Sequence, residues 1–188
     1  MVEEVNLLGS PITRVTDVAQ YLDQHHYLGR AGRGVAWSDE FGVMVLANPT
    51  SRKLPHDRWL ELTRWCLSGE KNAGSMQWAR VKRWLLDERP DITTVVSYSD
   101  PGVGHTGSLY KACNWIWAPT WQKLRPPPSG GGSWDGITTQ TPKDRWIYPL
   151  RPDPERESIL AIKDASVVKR FPEAQYREPR WKGLRWTR

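Results

Sequence analysis

The chain is short of cysteine, phenylalanine and methionine, and it has no acidic surplus. Only Cys66 and Cys113 occur among 188 residues. They form no CxxC pair, which excludes a disulfide framework and a cysteine zinc cluster. No apolar run is long enough to span a membrane, and nothing at the start resembles a signal peptide. The expectation is a cytoplasmic protein with no membrane partner. There is no internal repeat and no HExxH or HxD spacing, so any metal site has no sequence signature.

What is present is tryptophan and positive charge. Twelve Trp stand against two Phe, and the net charge is +6. Trp offers a wide flat surface with one N–H donor, which suits a core and also suits stacking on bases. A basic surplus favours an anionic partner such as nucleic acid or a phosphorylated cofactor, although a plain basic surface has the same composition. The apolar share of 38% and charged share of 26% describe a polar globular chain, expected to hold one domain.

The stretch 94–117, TVVSYSDPGVGHTGSLYKACNWIW, organises the rest. Residues 94–99 are β-branched and aromatic and read as a buried strand. Residues 100–107 hold Pro101, Gly102, Gly104 and Gly107 and must form a loop. Residues 108–113 suit a short helix that Asn114 ends. A strand–loop–helix unit presents polar groups at the strand's carboxyl end, where open α/β sheets hold ligands. Here those groups are Ser99, Asp100, His105 and Tyr110. Asp100 can orient or deprotonate a nucleophile, or cap its turn. Tyr110 can donate a proton, or pack. His105, set between glycines in an open loop, can act as base, ligand or anion contact. GVGHTG matches GxGxxG, but the helix behind it is too short for a dinucleotide fold.

Before that stretch, residues 5–8 read as a first strand and residues 16–25 as a helix. Gly29 to Gly34 reads as a flexible basic loop carrying Arg30 and Arg33. A hairpin is expected over 34–48, joined through Ser38, Asp39 and Glu40, its second strand interior because both faces are apolar. Residues 59–67, WLELTRWCL, read as a strand with Glu61 and Thr63 on one face. The small-residue loop Lys71, Asn72, Ala73, Gly74 and Ser75 opens the strongest helix, where Trp78, Val81 and Leu85 make an apolar stripe and Pro90 sets the stop. Such a loop can cradle a phosphate, or be an ordinary turn with a Ser cap.

After it, residues 120–124 read as a strand, 125–142 as a Pro/Gly-rich arm, 145–150 as a last strand and 157–168 as a helix. The end carries Arg177, Arg180, Trp181, Arg185 and Trp186, basic and aromatic side chains interleaved, which suits a distorted nucleic-acid strand or a solvated tail.

The blocks SYSDPGVGHTGSLYKACNWI, KNAGS, ELTR, HHYLG and RWIYPL resemble the Mom-like DNA-modification proteins of bacteriophages, a divergent branch of the GNAT acyltransferases. The resemblance covers most of residues 24–150, and SDPGVGHTGSLYKA is its specific part. It implies an α+β (α/β) fold with a mixed, mostly antiparallel central sheet flanked by helices. It implies a catalytic domain over 1–150 and a basic extension over 151–188. It also implies conversion of adenine in double-stranded DNA to a carbamoylmethyl derivative in a bacterial host, protecting phage DNA from restriction. By the same resemblance Asp100 and Tyr110 are catalytic, Arg64 is a further site residue, and residues 71–75 hold acetyl-CoA or a related acyl or glycyl donor. His26 and Tyr27 would be Fe(II) ligands. The alternatives are an N-acyltransferase for a small amine or an already modified base, and a non-catalytic DNA-binding protein. A monomer and a homodimer are equally compatible with this reading.

Overall fold

The structure, a computed structural model, describes residues 11–118 and 143–160. The expected strands over 5–8 and 120–124, the arm over 125–142 and the basic-aromatic end with Arg177, Arg180, Trp181, Arg185 and Trp186 lie outside the described residues.

In chain order the elements are β1 (Ile12–Arg14), α1 (Ala19–His25), β2 (Val35–Asp39), β3 (Gly42–Ala47), β4 (Trp59–Leu67), α2 (Ala73–Glu88), β5 (Thr94–Ser99), α3 (Ser108–Ala112), β6 (Ile116–Ala118), β7 (Asp144–Pro149) and α4 (Pro154–Leu160). The strands form one sheet in the order β1-β2-β3-β4-β5-β7-β6. Every neighbouring pair is antiparallel except β4 and β5, which run parallel.

Alternation along the strands separates two apolar faces. Met44, Leu46, Leu60, Leu62, Val95 and Trp146 pack with Trp78, Val81 and Leu85 of α2. On the other face, Val43 and Val45 pack with Leu22 of α1, while Trp59, Val96 and Ile147 pack with Ile159 of α4. β3 is buried along its whole length, as its two apolar faces require.

Helix boundaries depart from expectation where side chains compete for the backbone. Asp17 turns back to accept hydrogen bonds from the Thr13 hydroxyl and the Arg14 N–H, so it serves a turn and α1 starts later, at Ala19. α4 begins at Pro154, earlier than residue 157, because Asp153 accepts the N–H groups of Glu155 and Arg156 and caps it. Among the described residues no helix is long and apolar enough to cross a membrane.

Candidate active site

The parallel pairing of β4 with β5 runs from Trp59↔Thr94 to Leu62↔Ser97 and stops. Beyond that point β4 stays with β3 and β5 stays with β7. The cause is a bulge. Leu62 faces Leu46 and Arg64 faces Val45, so Thr63 between them has no partner across the ladder. An extra residue bends its strand and increases local twist. From Arg64 onward the strand therefore leaves the simple alternation of WLELTRWCL: Arg64 pairs with Val45, and Trp65 packs on the α2 side with Leu62. A cleft of about 1330 Å3 opens where the strands part, with Trp65, Ser97, Tyr98 and Tyr110 in its wall. Its position at the carboxyl ends of a parallel pair is a usual one for a ligand site.

Gly107 brings α3 over this opening. Its φ is 73°, and a Cβ there would stand 2.1 Å from Cζ2 of Trp146, so only glycine fits. Tyr110, one turn into α3, lies flat on Trp146 at 5.4 Å and meets the edges of Trp65 and Trp115. Its hydroxyl is 2.9 Å from Ser97 Oγ. Because Ser97 donates to the Leu62 carbonyl at 2.8 Å, the shared proton comes from Tyr110. Burial pushes the Tyr110 pKa up to about 12, against the Ser97 bond, so the phenol is neutral and has a proton to give. Three of the twelve tryptophans, Trp65, Trp115 and Trp146, form this cage.

Asp100 follows β5 directly and is fully buried. Its carboxylate takes the Lys143 ammonium at 2.5 Å. Its carbonyl accepts the N–H groups of Val103 and His105, which curls the loop and presents His105. His105 meets the ring of Tyr27 edge-on at 5.0 Å. Burial lowers the His105 pKa, with the Asp100 carboxylate opposing and Lys143 adding to it. Asp100 is not itself part of the cleft wall; Lys143 and His105 are. The structure thus gathers Asp100, His105 and Tyr110 around one opening, with Asp100 one step behind.

The other expected residues divide. Arg64 lines the cleft but spends its guanidinium on backbone: it donates to the carbonyls of Gly29 at 2.8 Å, Thr63 at 2.8 Å and Arg30 at 3.0 Å. Arg30 is also bound to Asp23 through Nε and Nη2. The Gly/Arg loop read as flexible is therefore pinned at 28–30. Arg33 is exposed. Lys71, Asn72 and Ser75 are exposed and Ala73 and Gly74 buried, and none of the five lines the cleft. No side chain caps the α2 amino end; the Ser75 hydroxyl donates to the Asn72 carbonyl instead. A Cβ on Gly74 would stand 2.3 Å from Leu109, and Leu109 does line the cleft, so one side chain separates loop and opening.

His26 and Tyr27 lie in the wall with His105. His26 Nδ1 accepts the Leu28 N–H at 3.2 Å, leaving Nε2. Burial, then Arg64 and His105, bring the His26 pKa down to about 4, so the ring is neutral. Burial raises Tyr27, keeping it a phenol. Among the described residues no three His, Cys, Asp or Glu stand close enough to share an ion. Two imidazoles and a neutral phenol are an incomplete set for Fe(II), which prefers a carboxylate as third donor.

Glu61, Tyr98, Lys143 and Arg145 also line the cleft, and sequence reading did not single them out as site residues. A charged residue at a strand position expected to be buried was the available signal for Glu61 and Arg145. Lys143, in a Thr-Pro-Lys-Asp connection, carried none.

A family model described as the Mom protein family matches residues 16–125. No curated protein matches the chain. The matched span holds α1 through β6, with Asp100, His105 and Tyr110, and leaves Lys143 and Arg145 outside.

Proposed function

The chain belongs to the Mom protein family, and on that premise we propose that it is a phage DNA-modification enzyme, a transferase that converts adenine in DNA to a carbamoylmethyl derivative and so shields phage DNA from host restriction. The observation that carries this reading is the neutral Tyr110 hydroxyl held in the gap between β4 and β5, with Asp100, Lys143 and His105 beside it. A protonated phenol at a cleft is a general acid with a proton to deliver.

A GNAT-like reading is supported by the element order and by the single parallel pair that parts at its carboxyl end. In that reading acetyl-CoA or a related acyl or glycyl donor supplies the activated group. Residues 71–75 suit its diphosphate, because the α2 amino end carries free dipole charge and no side-chain cap. In that reading Tyr110 would protonate the departing thiolate, and Asp100 holds the Lys143 ammonium at the cleft wall. The donor set at His26 and Tyr27 does not complete an iron site, and no step is assigned to iron. Double-stranded DNA is the partner, drawn by the net charge of +6, with Arg30 and Arg33 facing phosphate.

A second reading, N-acylation of a small amine or of an already modified base, has one argument of its own. Acyl transfer to the adenine amine yields an amide, so a carbamoylmethyl product needs a further bond-forming step.

Nucleoside mass spectrometry of plasmid DNA from expressing cells decides between them. The expected result is modified adenosine with the wild type, and a loss of at least about 100-fold in Asp100→Asn and in Tyr110→Phe with folding retained. Unmodified adenine in wild-type cells favours the second reading. Full modification by both variants rejects the site.

A further inference from the structure

The cleft does not end at Tyr110. It passes through the gap between the strands to the opposite face of the sheet, where α1 and α4 pack. There Glu61 on β4, Tyr98 on β5 and Arg145 on β7 stand in one polar row; Tyr98 faces Arg145 across the ladder, and Glu61 faces Val96, two residues before Tyr98. Glu61 is only 8% exposed and Arg145 only 6%. Arg145 shares a hydrogen bond with Tyr98. Glu61 takes the Thr50 N–H on Oε2 at 2.6 Å, and among the described residues it makes no ion pair. A carboxylate removed from water with no cation in contact is costly, and the Arg64 charge reaches Glu61 only at longer range. An acceptor and a donor of opposite charge therefore line one wall without being joined to each other. Leu54 and Ile159 supply apolar wall nearby, and the exposed Arg52 and Lys53 stand at the rim.

We propose that this second face is the nucleobase pocket, and that it takes an extruded base whose exocyclic amine lies beside an unprotonated ring nitrogen. The amine donates to Glu61 and the ring nitrogen accepts from Arg145; adenine and cytosine both present that edge, and adenine is the one that the DNA-modification reading supplies. Arg52 and Lys53 meet the phosphates flanking the extruded nucleotide. An amine held on Glu61 stands one residue from Leu62, where the strand pairing ends, with the Tyr110 hydroxyl across the gap. The inference rests on the DNA-modification reading and names the residues that select its substrate.

The test is a binding ratio, independent of the chemistry. Duplexes carry, opposite an abasic position, either adenine or purine, which lacks the amine. Wild type is expected to bind the adenine duplex about tenfold more tightly. Glu61→Gln keeps an oxygen for the Thr50 N–H but turns an N–H2 toward the base. It should erase the preference and leave purine-duplex affinity unchanged. Arg145→Lys should reduce the preference, which keeps the inference testable if Glu61→Gln does not fold. Arg52→Ala with Lys53→Ala should weaken both duplexes equally and flatten the salt slope by about 2. No wild-type preference, or a preference that survives in Glu61→Gln, overturns the pocket even where modified adenosine is found. A Glu61-dependent preference without modified adenosine keeps the pocket and removes the modification reading.

Discussion

A buried carboxylate stands at each end of β5. Beside its amino end is Asp153, 2% exposed; directly after its carboxyl end is Asp100, at 0%. Asp153 accepts from Arg58 Nε at 3.1 Å, Trp59 Nε1 at 2.9 Å, Thr93 Oγ1 at 2.5 Å and the N–H groups of Glu155 and Arg156. It ties the starts of β4, β5 and α4 together, and the main cleft does not reach it. Asp100 holds Lys143, which lines that cleft, and its charge is felt by Tyr27 and His105. Equal burial thus serves two purposes. A carboxylate enclosed by donors from several elements fixes the fold, whereas one paired with a cleft-lining cation sets charge where a reaction can use it.

The largest expected effect tests the closed end. Asp153→Ala removes the acceptor from two buried or half-buried side-chain donors, the Arg58 guanidinium and the helix cap. It is expected to cost about 3–5 kcal/mol in urea unfolding. Residual activity should follow the folded fraction. A variant as stable as wild type but devoid of modification would erase the distinction between the two carboxylates.

Acid titration should separate the ends by pH. Burial raises the Asp153 pKa, but the bonds from Thr93, Trp59 and the Arg156 N–H, with Arg58, outweigh it and bring it to about 2, below its ordinary 3.8. Its stabilisation is complete above about pH 4 and is lost as pH falls toward 2. At the open end His26, with a pKa of about 4 against 6.5, and His105, also lowered, must take up protons on unfolding. Stability there starts to fall earlier, between pH 6.5 and 4. Urea midpoints measured across pH 2–7 should show both limbs, and Asp153→Asn should delete only the lower one, with a slope loss of about 1.4 kcal/mol per pH unit.

Strands β3, β4 and β5 were legible in the sequence because their apolar residues follow the strand period or fill it completely. The placement of Tyr110 on a short helix was legible from SLYKA following a Gly-rich turn. The opening beside it was not, because it depends on the bulge at Thr63, and nothing in ELTR marks an extra residue; only the pairing with β3 reveals it. Arg64 was expected at the chemistry, yet its fork fits backbone carbonyls at 28–30, a contact about 35 residues away in sequence that no spacing rule finds. Lys143 and Arg145 reach the site because β7 inserts between β5 and β6, a matter of topology rather than of local pattern.

Ser97 joins the two ends, and its removal is the smallest effect that still discriminates. Its hydroxyl donates to the Leu62 carbonyl at 2.8 Å, the last paired step of β4 and β5, and accepts from Tyr110 at 2.9 Å. Ser97→Ala should cost about 1 kcal/mol of stability, since one buried donor is lost and the small cavity is tolerable. The Tyr110 hydroxyl loses its resting partner but keeps the ring packing on Trp146, Trp65 and Trp115 that holds it over the gap. Single-turnover modification should therefore slow only several-fold, far less than in Tyr110→Phe. A loss as deep as that of Tyr110→Phe would mean that the serine hydroxyl itself takes part in the reaction, and the open end of the strand pair would then owe its chemistry to β5 rather than to the helix behind it.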